Sequence, residues 1–184
     1  MCSSDLMQER RVALGRVWCA GAPGRYFALA CGAGVDAELM AHAVGKRRWG
    51  MLAYWAAGLR LLGRRLPALR VETEGSSGEC SLVLACRVRR IGGGLRVARR
   101  SHLLDEEMEV VLFPSRSTWR YVGYLAEALA GRVRTGVVTR TAALSGEGRV
   151  EVDGECVGRL PAKVEIVPGV LTLLVPGGYA RRHG

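Results

Sequence analysis

The side chains whose types and neighbours suit chemistry are the carboxylates of Asp153 and Glu155, in Val152-Asp-Gly-Glu155. An Asp-Gly pair between two apolar-polar alternating runs is a hairpin turn for backbone reasons alone. The functional reading makes Asp153 a general base at a rigid strand end, accepting a proton from an attacking hydroxyl. Asp105-Glu-Glu-Met108 also has two readings, a solvated acidic turn or an oxygen-ligand site for a hard cation such as magnesium. Gly92-Gly-Gly94 can cradle a phosphate through backbone N–H groups or form a bulge between strands. The arginines of 87–90 and 96–100 flank that turn, as an anion-binding face or a solvated one. No self-sufficient active site emerges, because the chain has no G-x-x-x-x-G-K-[ST] loop and no G-x-S-x-G elbow. The three histidines, His42, His102 and His183, are too scattered for a metal triad.

Positioning these groups falls mostly to strands. Arg11 to Ala20 alternates, and Arg25 to Cys31 is a short run of strand formers broken by Gly32-Ala-Gly34. Asp36 is placed to cap a helix through Gly45, and Trp49 to Leu62 repeats its apolar residues at helical spacing until Pro67. Beyond Pro67 the pattern is short strands with turns: Leu69 to Glu74, Gly75-Ser-Ser-Gly78, Cys80 to Val88, and Met108 to Phe113. Ser115 or Ser117 starts a third helix through Leu129, closed by Gly131. Val133 to Leu144, Arg149 to Val152, Gly158 to Ile166 and Val170 to Val175 are further strands, the last two parted by Pro168-Gly169. The pattern predicts one α+β domain, mainly an antiparallel β-sandwich with two or three helices.

With 184 residues, 49% of them hydrophobic and 24% charged, the chain can build a real core and is not disordered. Its 27 basic residues against 17 acidic ones leave a net charge of +10, which favours an anionic partner. Lys46 and Lys163 are the only lysines, so the charge is almost all arginine. Aromatic residues make up 6%, which argues against base-stacking platforms and makes nucleic acid the weaker choice. No apolar run reaches the ~18 residues of a membrane span, and no secretory signal is visible. The six cysteines include no C-x-x-C pair and read as buried free thiols of a reducing compartment. Met1-Cys-Ser-Ser-Asp-Leu6 joins abruptly to Met7-Gln-Glu-Arg-Arg11 and reads as a translated library adapter on a gene cut at its 5′ end. Residues 1–10 are therefore expected to be a non-native or disordered leader, 11–176 the domain and 177–184 a tail.

Several motifs, in order, resemble the C-terminal domain of the diacylglycerol kinase-like family of lipid kinases, which includes bacterial lipid kinases and sphingosine kinases. Gly24-Arg-Tyr-Phe-Ala-Leu-Ala-Cys-Gly-Ala-Gly-Val-Asp-Ala37 is similar to the family's F-x-x-x-x-G-x-G-x-D-A segment. Lys46 to Gly50 with Tyr54, the Gly92-Gly-Gly94 turn and Leu104-Asp-Glu-Glu-Met-Glu-Val-Val-Leu112 match further blocks. Val152-Asp-Gly-Glu155 with Pro161 and Pro168 resembles the terminal D-G-E block. The resemblance implies a β-sandwich that supplies the lipid side of a cleft, with Asp153 as the base and Glu155 in support. It also implies a structural metal site near Asp105. Three positions depart from the pattern: Glu106 stands where the family has glycine, Arg99-Arg-Ser101 replaces a frequent Ala-Pro, and the asparagine before the glycine turn is missing at Ala85-Cys86.

The complete enzymes use ATP and Mg2+ and carry a Gly-Gly-Asp-Gly-Thr phosphate loop in a preceding nucleotide-binding domain. That motif does not occur here, so the ATP site is expected outside this chain. The expected function is the acceptor side of an ATP-dependent lipid kinase, inactive alone. Its expected partners are a lipid substrate, an anionic membrane surface and the missing or separately encoded nucleotide-binding domain. The expected location is cytoplasmic, peripheral at the inner membrane face. The alternative is a non-catalytic basic β-rich module that binds anionic membrane or nucleic acid.

Overall fold

The computed structural model of the chain describes residues 7–34, 66–91, 94–132 and 135–176. Two six-stranded antiparallel sheets pack face to face. The first contains β1 (Met7–Cys19), β2 (Arg25–Phe27), β4 (Leu69–Thr73), β5 (Ser76–Cys80), β11 (Thr141–Gly146) and β14 (Ala162–Pro176), in the order β2-β1-β14-β11-β4-β5. The second contains β3 (Ala30–Gly34), β6 (Leu82–Cys86), β9 (Met108–Phe113), β10 (Val137–Thr139), β12 (Arg149–Val152) and β13 (Glu155–Arg159), in the order β10-β9-β6-β3-β12-β13. A small hairpin, β7 (Arg90–Ile91) with β8 (Leu95–Arg96), and one helix, α1 (Thr118–Leu129), complete the described elements. Of the two or three helices expected, α1 alone lies among the described residues. Those expected at 36–45 and 49–62 lie outside them.

Val17, Phe27, Leu69, Val71, Leu144 and Val164 of the first sheet meet Val83, Met108, Val110 and Val150 of the second, and this layer is the main core. The second sheet also buries its outer face. Leu82, Leu84 and Cys86 point the other way from Val83 and Ala85 and pack with Leu66, Val97, Ala98 and Val111. Phe113, Ile91, Leu95 and Tyr121 of α1 pack against this outer layer. Strand β6 is therefore buried on both faces, which is why Leu82–Cys86 is apolar throughout instead of alternating.

Five boundaries differ from the sequence expectation, each for a tertiary reason. The run Arg25 to Cys31 is two strands, because the chain crosses from one sheet to the other at Ala28-Leu29. Gly32 and Gly34, expected to break the strand, lie inside β3. A Cβ on Gly34 would sit 2.3 Å from the Ser81 carbonyl, so close backbone approach and a φ of 105° demand glycine there, while one on Gly32 would sit 2.7 Å from a Glu151 carboxylate oxygen and displace that side chain. Val133 to Leu144 likewise divides into β10 and β11, which belong to different sheets. Pro168-Gly169, expected to be a turn, lies within the continuous β14, where the ladder with β1 shifts register between Val12 and Leu14. Strand β1 begins at Met7, inside the stretch expected to be leader, since Met7–Arg10 pair with Leu173–Pro176.

Cys19, Cys31, Cys80 and Cys86 are buried thiols in no disulfide, and Cys156 is an exposed one. Burial pushes the Cys80 thiol from 9.0 up to about 12, against a smaller opposing effect of a backbone hydrogen bond from Leu82. Burial also drives Cys31 well above its ordinary value, helped by the Glu151 charge. An unfolded Cys80 loses its proton near pH 9.0 while the folded one keeps it until about 12. The stability tied to that proton is whole below pH 9 and is lost as pH rises from there. Urea midpoints should therefore fall between neutral and strongly alkaline pH, and Cys80→Ala should flatten the fall; an equal fall in the variant would refute the assignment. In a Cys2→Ser background, Cys156 should be the one described thiol that reacts quickly with an aromatic disulfide.

Candidate functional site

One end of the second sheet gathers most of the residues with chemical potential. Register aligns Val152 with Cys31, Ala30 with Cys86, Cys86 with Glu109, and Glu109 with Val138. From this edge emerge the β12–β13 turn, the crossing at Ala28-Leu29, Arg87 and the approach to β9.

Asp153 and Gly154 form the β12–β13 hairpin with φ of 48° and 90°. Positive φ at both central residues matches the twist of the flanking strands, which is the backbone reason for Asp-Gly here. The Asp153 carboxylate also binds across the sheet. Its Oδ1 accepts the N–H groups of Leu29 (2.9 Å) and Ala30 (3.0 Å), and its Oδ2 accepts that of Ala28 (2.8 Å). The Asp153 N–H donates to the Ala30 carbonyl at 3.0 Å. This one residue thus fixes the passage from β2 to β3. The buried Glu151 braces the turn from the other side, accepting the Gly154 N–H at 3.0 Å. Oδ2 carries a single described donor, and a carboxylate oxygen has two lone pairs, so it retains accepting capacity.

Glu155 stands across the same turn. It is exposed and meets the exposed Arg25 at 3.4 Å, a contact worth little in water. Asp105 is elsewhere. Its segment leads into β9, and β12, β3, β6 and β9 are successive neighbours. Two strands, β3 and β6, lie between β12 and β9. The structure brings Asp153 and Glu155 together and leaves Asp105 apart.

The residues around Asp105 do not fit a magnesium ion. Arg87 is fully buried at the end of β6, and its guanidinium donates to the Asp105 carbonyl at 3.0 Å and the Leu103 carbonyl at 2.7 Å. The turn oxygens that would face a hard cation already face a fixed one. Burial pulls the Arg87 group down from its ordinary value, and the Asp105 charge counters part of that. Its Nε finds no acceptor. Among the described residues no cluster of three or more His, Cys, Asp or Glu side chains could hold a metal.

Sequence reasoning missed Glu109. It is fully buried, and its Oε2 accepts the N–H groups of Arg99 (2.8 Å) and Arg100 (2.6 Å) while its Oε1 accepts that of Gly136 (2.9 Å). This carboxylate pins the arginine segment to the sheet and leaves the Arg99 and Arg100 side chains in solvent. The readable signal was a lone charge inside the apolar run Met108–Phe113. A shallow hollow between the sheets is lined by Val71, Thr73, Gly78, Val110, Leu112 and Val137, and Asp153 is not part of it.

The family model described as the YegS C-terminal NAD kinase beta sandwich-like domain matches residues 30–175. Two crystal structures of proteins from Bacillus anthracis str. Sterne are similar, the second of them described as that of a diacylglycerol kinase. One has TM-score 0.66 and 18% identity, over 90% of this chain and 56% of that one. The other has TM-score 0.65 and 17% identity, over 94% of this chain and 59% of that one. The chain thus spans little more than half the length of these solved relatives. No curated protein matches it in sequence.

Proposed function

Because the chain belongs to the YegS C-terminal NAD kinase beta sandwich-like domain family, we propose that it is the acceptor side of an ATP-dependent lipid kinase. The lipid hydroxyl is presented to a nucleotide-binding partner that holds ATP and Mg2+, and Asp153 takes its proton. The observation that carries this reading is the Asp153 turn. A carboxylate on a rigid hairpin, oriented by three backbone donors, keeps accepting capacity at Oδ2 for an incoming O–H. Glu155 keeps the turn charged and hydrated, in a supporting role.

Phosphoryl transfer depends mainly on positioning and on neutralising the phosphates, and a base adds a factor on the order of 10² to 10⁴. The chain has no Gly-Gly-Asp-Gly-Thr loop to hold a triphosphate. Alone, it should neither bind ATP tightly nor turn over. The direct test incubates the purified chain with labelled ATP and diacylglycerol in mixed micelles. No product is expected, and robust transfer would overturn the reading.

Asp153 also has a structural duty that can be measured separately. Asp153→Ala removes the acceptor for three N–H groups, two of them exposed. The expected cost is about 2 kcal/mol, or ~4–8 °C of melting temperature for a chain of this size. Asp153→Asn keeps one acceptor oxygen and should cost less. In a two-domain assembly the Asn variant should then lose transfer far out of proportion to its stability. An Asn variant as active as the parent would remove Asp153 from the chemistry.

A further inference from the structure

Helix α1 is apolar over more of its surface than packing on the sheet requires. Its inner side carries Tyr121 and Tyr124, which pack edge-on with each other and against Phe113. Tyr121 also reaches the Ser81 hydroxyl at 2.7 Å, so this side is anchored to the second sheet. At ~100° per residue, Trp119, Val122, Ala126 and Leu129 fall within an arc of about 80° on a different side. All four are exposed, Trp119 to 67%, Val122 to 54% and Leu129 to 66%. The charged pair Arg120 and Glu127 occupies the remaining strip. A helix on a sheet normally turns polar residues to water, and this one turns a second apolar stripe outward.

The neighbourhood of that stripe is basic. The β7–β8 hairpin packs beside α1, with Ile91 and Leu95 in the same apolar layer as Tyr121. The hairpin and its flanking segments carry Arg89, Arg90, Arg96, Arg99 and Arg100, none in an ion pair among the described residues. Glu109, the carboxylate beneath, is spent on the backbone of Arg99 and Arg100 and on Gly136. An apolar stripe with Trp at one end, on a helix whose neighbouring hairpin carries arginines outside any described ion pair, matches an interfacial helix on an anionic bilayer. A second copy of the chain would bring its own charge of +10 against these arginines, so self-pairing is disfavoured.

We propose that α1 is the membrane-contacting element: it lies flat in the headgroup region of an anionic bilayer, with Trp119, Val122, Ala126 and Leu129 facing the acyl chains and the arginines of 89–100 on acidic headgroups. This deepens the membrane part of the proposed function and does not depend on phosphoryl transfer.

The test is co-flotation of the full chain with phosphatidylcholine vesicles, with and without phosphatidylserine, alongside a triple variant Trp119→Ser, Val122→Ser, Leu129→Ser. All three positions are exposed, and a circular-dichroism melt checks that the variant folds. Val122→Asp is a milder second probe. The expected result is binding that requires phosphatidylserine and weakens at least tenfold in the triple variant, and quenching of wild-type tryptophan fluorescence by brominated lipid that falls in Trp119→Ser. Wild-type binding that the variants leave unchanged would overturn the role of α1 while leaving a membrane partner standing. No vesicle binding by the wild type, concentration-dependent self-association lost in the triple variant, or stronger binding to random duplex DNA than to vesicles would overturn the proposal outright.

Discussion

Replacing Arg87 with alanine lowers the melting temperature by roughly 10 °C, and the wild-type melt does not move between excess EDTA and millimolar magnesium. The first expectation rests on the two carbonyls of Leu103 and Asp105, which accept from the guanidinium inside the fold. Each orphaned buried carbonyl costs ~1–3 kcal/mol, and the space left by a large buried side chain adds to that. Relief of the arginine's own desolvation offsets part of the sum, leaving about 3–4 kcal/mol. Arg87→Met fills the space but restores neither hydrogen bond, so about half the loss should remain. The second expectation holds because the carbonyls that could take a cation already hold one that cannot dissociate. Differential scanning fluorimetry reads both. A wild-type melt that rises saturably with magnesium, or an Arg87→Ala melt equal to the wild type, contradicts the account.

A comparable loss is expected at Glu109, for a different reason. Three backbone N–H groups share its two oxygens. Glu109→Gln has one acceptor oxygen and one NH2 in nearly the same volume. If the amide nitrogen faces Arg99 and Arg100, two donors oppose it; if it faces Gly136, one does. Either orientation breaks part of a buried, charge-assisted set, at about 2–3 kcal/mol. Glu109→Ala breaks all of it and should cost ~3–5 kcal/mol. Urea unfolding of the two variants should rank them in that order. Faster amide hydrogen exchange confined to Arg99, Arg100 and Gly136 would trace the damage to this carboxylate. A Gln variant with wild-type stability would show that these donors find other acceptors.

The sandwich was legible because short strands of alternating residues separated by turn dipeptides have few other solutions, and Asp153-Gly154 marked its hairpin through backbone preference alone. What escaped was set by partners distant in sequence. Gly32 and Gly34 look like breakers until Glu151 and Ser81 are seen pressed against them. Pro168-Gly169 looks like a turn until the length of β1 carries the ladder past it, with Arg11 donating to the Gly169 carbonyl. Asp153 and Glu155 stood out through local spacing. Glu109 and Arg87 did not, since their roles lie in backbone groups 9 to 27 residues away. Asp105 drew attention as a cation ligand, and the cation beside it proves to be a side chain of the same chain.

The β1–β14 ribbon joins Met7 to Pro176 at one pole, with the strands antiparallel. Tension applied across that pole loads the two strands as a zipper, peeling rungs singly from Met7 and Pro176 inward instead of shearing them all at once. Such a pull reaches the irregular register at Val12 and Leu14 before it strains the sandwich. The molecule is therefore mechanically soft along this one direction at its outer rungs, and peeling that continues past Leu14 uncovers Val17 and Val164 of the main core.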